Sequence, residues 1–177
     1  MKNTLLVITS LLAFNLIACP ESNPVNVKDS GVADTSLDSV KPSTVVVEDT
    51  WELTLPSTWD KHSLVKSDAG AQLIADNVPD ENLLVFTQTQ YKGTLDQFAI
   101  ESIRDLRSHS NTLDYSSSVV INGMPFVYVR TIHADSLQLQ TWLTVSNDFG
   151  YSLSCGGTAS KNPTVDCEKI VNSLQVK

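Results

Sequence analysis

The residues best placed to do chemistry in this chain are its three cysteines. Cys19 ends an apolar run, directly after Leu16-Ile17-Ala18. Lys2 gives that run a positive start, Leu5 to Leu12 an apolar centre, and Ala18 a small residue before the thiol. This is the anatomy of a cleavable secretory signal. A cut after Ala18 makes Cys19 the first residue of the remaining chain, with its nucleophilic thiol at the new terminus. Other constellations are missing from the sequence: there is no G-x-S-x-G, no H-E-x-x-H, no EF-hand loop and no phosphate loop. His62, His109 and His133 stand alone in sequence and read as ordinary surface histidines. Asp76, Asp80 and Glu81 gather around a turn and read as solvated carboxylates rather than a calcium site. No catalytic residue, metal site or cofactor is therefore expected, although a triad assembled from distant segments stays open at this level.

Leu16-Ile17-Ala18-Cys19 resembles the lipobox of bacterial lipoproteins. The resemblance implies that residues 1–18 are a signal peptide and that Cys19 carries several acyl chains. It also implies a cell-envelope protein whose membrane partner is reached through the lipid. The apolar run is too short for a comfortable transmembrane helix, and multiple acyl chains hold where a single one binds only marginally. Pro20 stands where enteric bacteria place a sorting aspartate. The outer membrane is thus expected rather than the inner, with the domain facing the periplasm or the cell surface. With Cys19 assigned to lipid, Cys155 and Cys167 remain as an even pair in an oxidising compartment, and a disulfide is expected. A metal site or a redox pair competes with that reading. Neither cysteine has a histidine nearby in sequence, and their spacing is far from C-x-x-C.

Net charge over the 177 residues is −8, with no cluster of lysine and arginine. Nucleic acid is a poor partner for such a chain, and a polybasic membrane patch is absent. Residues 20–50 are rich in Pro, Asn, Asp, Ser and Gly and hold no aromatic side chain. Such a stretch buries too little apolar surface to offset its ordering entropy, so an acidic disordered tether is expected over residues 19–50. Its random-coil reach is roughly 30 Å. Val45-Val46-Val47 either begins the folded part or marks the approach to it. One folded domain is expected over residues 51–177.

Within that domain, Trp51-Glu52-Leu53-Thr54-Leu55 alternates as a half-buried strand that Pro56 ends, and Ser57-Thr58-Trp59-Asp60 reads as a turn that brings a second ring to the core. Residues 71–75 and 83–91 read as further strands. Thr94 and Gln97 have capping-box spacing, ahead of a helix with Leu95, Phe98, Ala99, Ile103 and Leu106 on one face. Residues 113–155 read as four antiparallel strands in a meander, the first pair joined by the hairpin signal Asn122-Gly123. Asn162 and Pro163 open a second helix that ends near Ser173, with Cys167, Ile170, Val171 and Leu174 on its inner stripe. Val176 reads as a short edge strand.

This order of elements resembles the PsbP-like (PsbP/DcrB-type) α/β sandwich. The likeness rests on Trp51–Leu55 with Pro56-Ser57-Thr58-Trp59, on Gly93-Thr94-Leu95-Asp96-Gln97-Phe98, and on Val120-Ile121-Asn122-Gly123-Met124-Pro125. Tyr151-Ser152-Leu153-Ser154-Cys155 and Ile170-Val171-Asn172-Ser173-Leu174 complete it. It implies an α+β fold, an antiparallel sheet flanked by helices, and a function of docking to other proteins rather than catalysis. Trp142 is then the candidate contact residue. It shares a strand face with Gln138, Gln140 and Thr144, and is exposed if helices cover only the other face, core if both faces are covered. Three functions stay in play: docking of an envelope protein partner, a hydrolase with a triad from separated segments, and a carrier of a small apolar ligand.

Overall fold

The computed structural model describes residues 41–77, 81–108, 111–133, 137–158 and 164–177. The lipobox, Cys19, the tether up to residue 40, Asp80, His109 and the expected cap Asn162-Pro163 lie outside the described residues, as does the side chain of His133.

Period-two alternation dominates the described chain. In β2 (Trp51–Leu55), Trp51, Leu53 and Leu55 are buried while Glu52 and Thr54 lie nearer the surface. β2 is the middle of a three-stranded antiparallel sheet, between β1 (Thr44–Val47) and β10 (Gln175–Val176). The other strands form a seven-stranded antiparallel sheet. These are β3 (Asp60–Ser67), β4 (Gly70–Asn77), β5 (Asn82–Gln90), β6 (Asn111–Ile121), β7 (Met124–His133), β8 (Leu137–Ser146) and β9 (Phe149–Thr158), in the order β3-β4-β5-β9-β8-β7-β6. The helices are α1 (Leu95–Ser108) and α2 (Thr164–Ser173). The expected meander is β6 to β9, and the result is a sheet-dominated α+β fold.

Two expectations need correction. The domain does not begin at Trp51: β1 pairs with β2 from Thr44↔Leu55 to Val47↔Glu52, and Val46 is buried in the core. The stretch 44–47 therefore belongs to the fold rather than to the tether. A run of three valines has no polar alternation, and only its partner strand shows which valine faces inward. The segment after Asp60 is also a strand, β3, where the sequence shows only a turn. It lies at the sheet edge with most residues exposed and a bulge between Lys61 and Ser63, so its pattern is weak.

Pairing registers assign each side chain to a face. One face carries Leu73, Ala75, Leu84, Phe86, Phe126, Trp142, Leu153 and Cys155, and packs on α2 and the small sheet through Trp51, Leu53, Trp59, Ile170 and Leu174. The Trp51 and Phe86 ring centroids are 4.5 Å apart at its centre. The opposite face carries Val129 and Leu143, which pack under Phe98 and Ala99 of α1. The α1 start is a reciprocal capping box: the Gln97 amide donates to Thr94 Oγ1 at 3.3 Å, and the Thr94 amide donates to Gln97 Oε1 at 3.1 Å. Gly150 lies directly beneath Phe98, and a Cβ there would stand 2.6 Å from the ring.

Candidate interaction surface

Trp142 is not a surface anchor. Only 5% of it is exposed, and its ring centroid lies 5.3 Å from that of Tyr128. The sequence correctly groups it with Gln140 and Thr144, but the face is covered at these positions: Gln140 and Thr144 are buried as well, and Gln138 is half-buried. Their polar atoms find partners inside, since Thr144 Oγ1 donates to the Pro125 carbonyl at 2.8 Å. Buried polar residues on a strand imitate a solvated face whenever such internal acceptors are at hand.

Cys155 of β9 and Cys167 of α2 are joined, with Cα atoms 5.7 Å apart and both residues fully buried. The bridge fastens α2 onto the sheet, and a loop of this size contributes about 3 kcal/mol through the unfolded state. α2 is held at its other end by Ser173. The Thr54 amide donates to Ser173 Oγ at 2.9 Å, and Ser173 Oγ donates to the Ile170 carbonyl at 2.7 Å. Asn122, at the tip of the β6–β7 hairpin, donates to the Asn172 carbonyl at 2.9 Å, serving one of the helix's last acceptors. The pair thus sits in a purely structural setting.

His62 approaches Asp76, Nε2 to Oδ1 at 2.7 Å, on the β3–β4 edge. This is the partner that sequence separation hid. Among the described residues no group of three His, Cys, Asp or Glu side chains is arranged to hold a metal. Two depressions open to solvent. One, of about 370 Å3, lies beside the α1 N-terminus among Tyr91, Lys92, Thr94, Gln97 and Asp148. The other, of about 350 Å3, runs along the outer side of α1 at Ile100, Ile103, Arg104 and Arg107. Burial pushes the Tyr91 phenol above its ordinary range, with Glu101 adding to the effect.

Half of a sheet face is left half-buried, with no helix of the described residues on it. α1 packs on β6, β7 and β8. On that same face, β3, β4, β5 and β9 present Ser63 and Val65, Gln72 and Ile74, Leu83, Val85 and Thr87, and Ser152 and Ser154. Val65 is 60% exposed. Two carboxylates stand at one end of this face: Asp76, paired with His62, and Asp60 opposite it, paired with Lys41. A merely solvated antiparallel face alternates its apolar inner positions with charged or strongly polar outer ones. Here, apart from Gln72 and the Asp60–Asp76 end, the outer positions are β-branched, aliphatic or hydroxyl-bearing. The signal was present in the sequence: residues 83–91 are apolar at Leu83 and Val85 as well as at Leu84 and Phe86, so the strand has two hydrophobic faces.

No family model and no curated protein matches the sequence. Solved structures do. The chain is similar to cyanobacterial PsbP (CyanoP) from Synechocystis sp. PCC 6803, with a TM-score of 0.59 and 10% identity over 85% of this chain and 99% of that one. It is also similar to a crystal structure from Bacteroides thetaiotaomicron VPI-5482, with a TM-score of 0.50 and 12% identity over 78% of this chain and 49% of that one. At such identities the likeness carries the architecture alone: the fold is PsbP-like.

Proposed function

We propose that this chain is a lipid-anchored cell-envelope protein of non-enzymatic type, attached through Cys19, that binds a protein partner through the open half of its seven-stranded sheet. The observation that carries the docking surface is the uncharged strip Val65, Ile74, Leu83, Val85 and Thr87, which no helix of the described residues covers. A partner suited to it presents a flat, uncharged surface of aliphatic and hydroxyl groups, since a charged one would lose water here without gaining a counter-ion. The anchor rests on the lipobox-like Leu16-Ile17-Ala18-Cys19, and outer-membrane residence on Pro20.

Two measurements separate the parts of this reading. Cys19→Ala is expected to move the protein from the membrane fraction to the soluble one; retention in the membrane sinks the anchor. Site-specific photo-crosslinking in cells is expected to give a discrete heterologous adduct from Val85 or Thr87, which Val65→Lys diminishes. An exposed control at Glu168 should give none. Absence of an adduct on the sheet face, with the protein correctly localised, sinks the docking surface.

A further inference from the structure

Among the described residues, the sheet edges are blunted with one exception. β3 closes one side of the large sheet with exposed Asp60, Lys61 and Lys66 and a bulge between Lys61 and Ser63. Charges and bulges of this kind discourage strand addition. In the small sheet, β1 is four residues long and β10 two. β6 closes the other side of the large sheet, and among the described residues no strand pairs with its outer edge. Its charged Asp114 falls at the bulge between Leu113 and Tyr115 and is taken up by Arg130, whose Nε donates to Asp114 Oδ2 at 2.6 Å. Beyond that point the strand runs as Ser116-Ser117-Ser118-Val119-Val120-Ile121, with no charge, proline, glycine or bulge. Val120 is 72% exposed.

The backbone pattern of this segment follows from its turn. Asn122 (φ 51°) and Gly123 (φ 78°) form a two-residue hairpin loop with both φ values positive. The flanking pair Ile121 and Met124 is therefore the hydrogen-bonded one. Ile121, Val119 and Ser117 thus bond to β7, while Ser116, Ser118 and Val120 direct their amides and carbonyls outward. These three positions are symmetric about Ser118. An antiparallel copy of the strand, related by a two-fold axis at Ser118, sets Ser116 opposite Val120, Ser118 opposite Ser118, and Ser117 opposite Val119. Every outward amide and carbonyl of positions 116, 118 and 120 then meets a partner, and no like charges face each other.

We infer that β6 is a self-association edge: two copies of this chain pair antiparallel through residues 116–120 and join their large sheets into one. The occupant is a second copy because the outward hydrogen-bonding positions, the side-chain sizes and the lack of charge are all complementary under one two-fold operation. This surface is separate from the open sheet face, so the two proposals stand or fall apart.

The test uses the full chain. Sedimentation in contrast-matched mild detergent should show a concentration-dependent dimer. Ser118→Lys, which sets two ammonium groups opposite each other at an exposed position, should raise the dimer dissociation constant by about tenfold or more. Its circular dichroism spectrum and melting temperature should match those of the native protein. In cells, Ser118→Cys should give a disulfide-linked homodimer on mild oxidation, because opposed residues of a hydrogen-bonded pair lie about 5.5 Å apart between Cα atoms, within bridging range. Thr87→Cys should not. A chain that stays monomeric at high concentration overturns the inference, as does a dimer that Ser118→Lys leaves intact. A heterologous adduct from Ser118→Cys in place of the homodimer likewise overturns it, in favour of a strand from another protein.

Discussion

Trp142 shows how far a single side chain can be read from its neighbours. Alternation correctly places it with Gln140 and Thr144, yet all three are buried, because α2 and the small sheet cover a face that looks polar. Trp142→Ala is thus expected to cost about 3–5 kcal/mol of folding stability, seen as a lower urea midpoint; a neutral result would mean that the ring is not core. Tyr151 carries a second expectation. Its ring is 1% exposed, and burial pushes its phenol above the ordinary tyrosine range, with nearby Thr50 and Gln88 pulling partly the other way. An unfolded tyrosine ionises near pH 10. Between that pH and the higher folded value, the unfolded chain releases its proton first. The contribution is therefore intact below about pH 10 and lost as pH rises further. Tyr151→Phe should flatten the fall in urea midpoint between about pH 9 and 11. An unchanged slope counts against the buried phenol.

At the level of elements, α1 is the part most legible in sequence. Its capping box, its apolar stripe and its basic last turn agree with one another, and each is realised. Its seat on the sheet was not legible, because the contact that allows it is a missing side chain. Gly150 lies under Phe98 without backbone strain; it is simply the space the ring occupies. Gly150→Ala should destabilise by about 1–3 kcal/mol through overpacking, and Phe98→Leu in the same chain should recover part of the loss. Additive effects in that double-mutant cycle would show that the two positions do not touch. β1 and β3 illustrate the opposite case. Their residues have strand character of a sort, but one is a plain run of valines and the other an exposed bulged edge. Neither declares its register without its partner.

For the whole molecule, the start of the folded domain moves from Trp51 back at least to Lys41. Lys41 is tied to Asp60 by an ion pair that also holds the Asp60 carboxyl below its usual range, and Lys41 Nζ donates to the Trp59 carbonyl at 3.2 Å. Limited proteolysis of the full chain is expected to cut between residues 20 and 40 and leave a fragment beginning near Lys41, identified by N-terminal mass mapping. A stable fragment starting at Trp51 would mean that β1 is dispensable.

Sequence alone determined what depends on neighbours in the chain: the period of both helices and of every strand but β1 and β3, the Asn122-Gly123 turn and the Thr94–Gln97 cap; counting cysteines named the two to be paired. It also grouped side chains correctly by face, since a period of two requires no partner. Tertiary structure decided what covers each face and what is left at each edge. Burial of Trp142 depends in part on α2, which lies far along the chain, and the openness of the Val85 face depends on where α1 comes to rest. Coverage is a property of contacts between distant segments, and no local pattern encodes it.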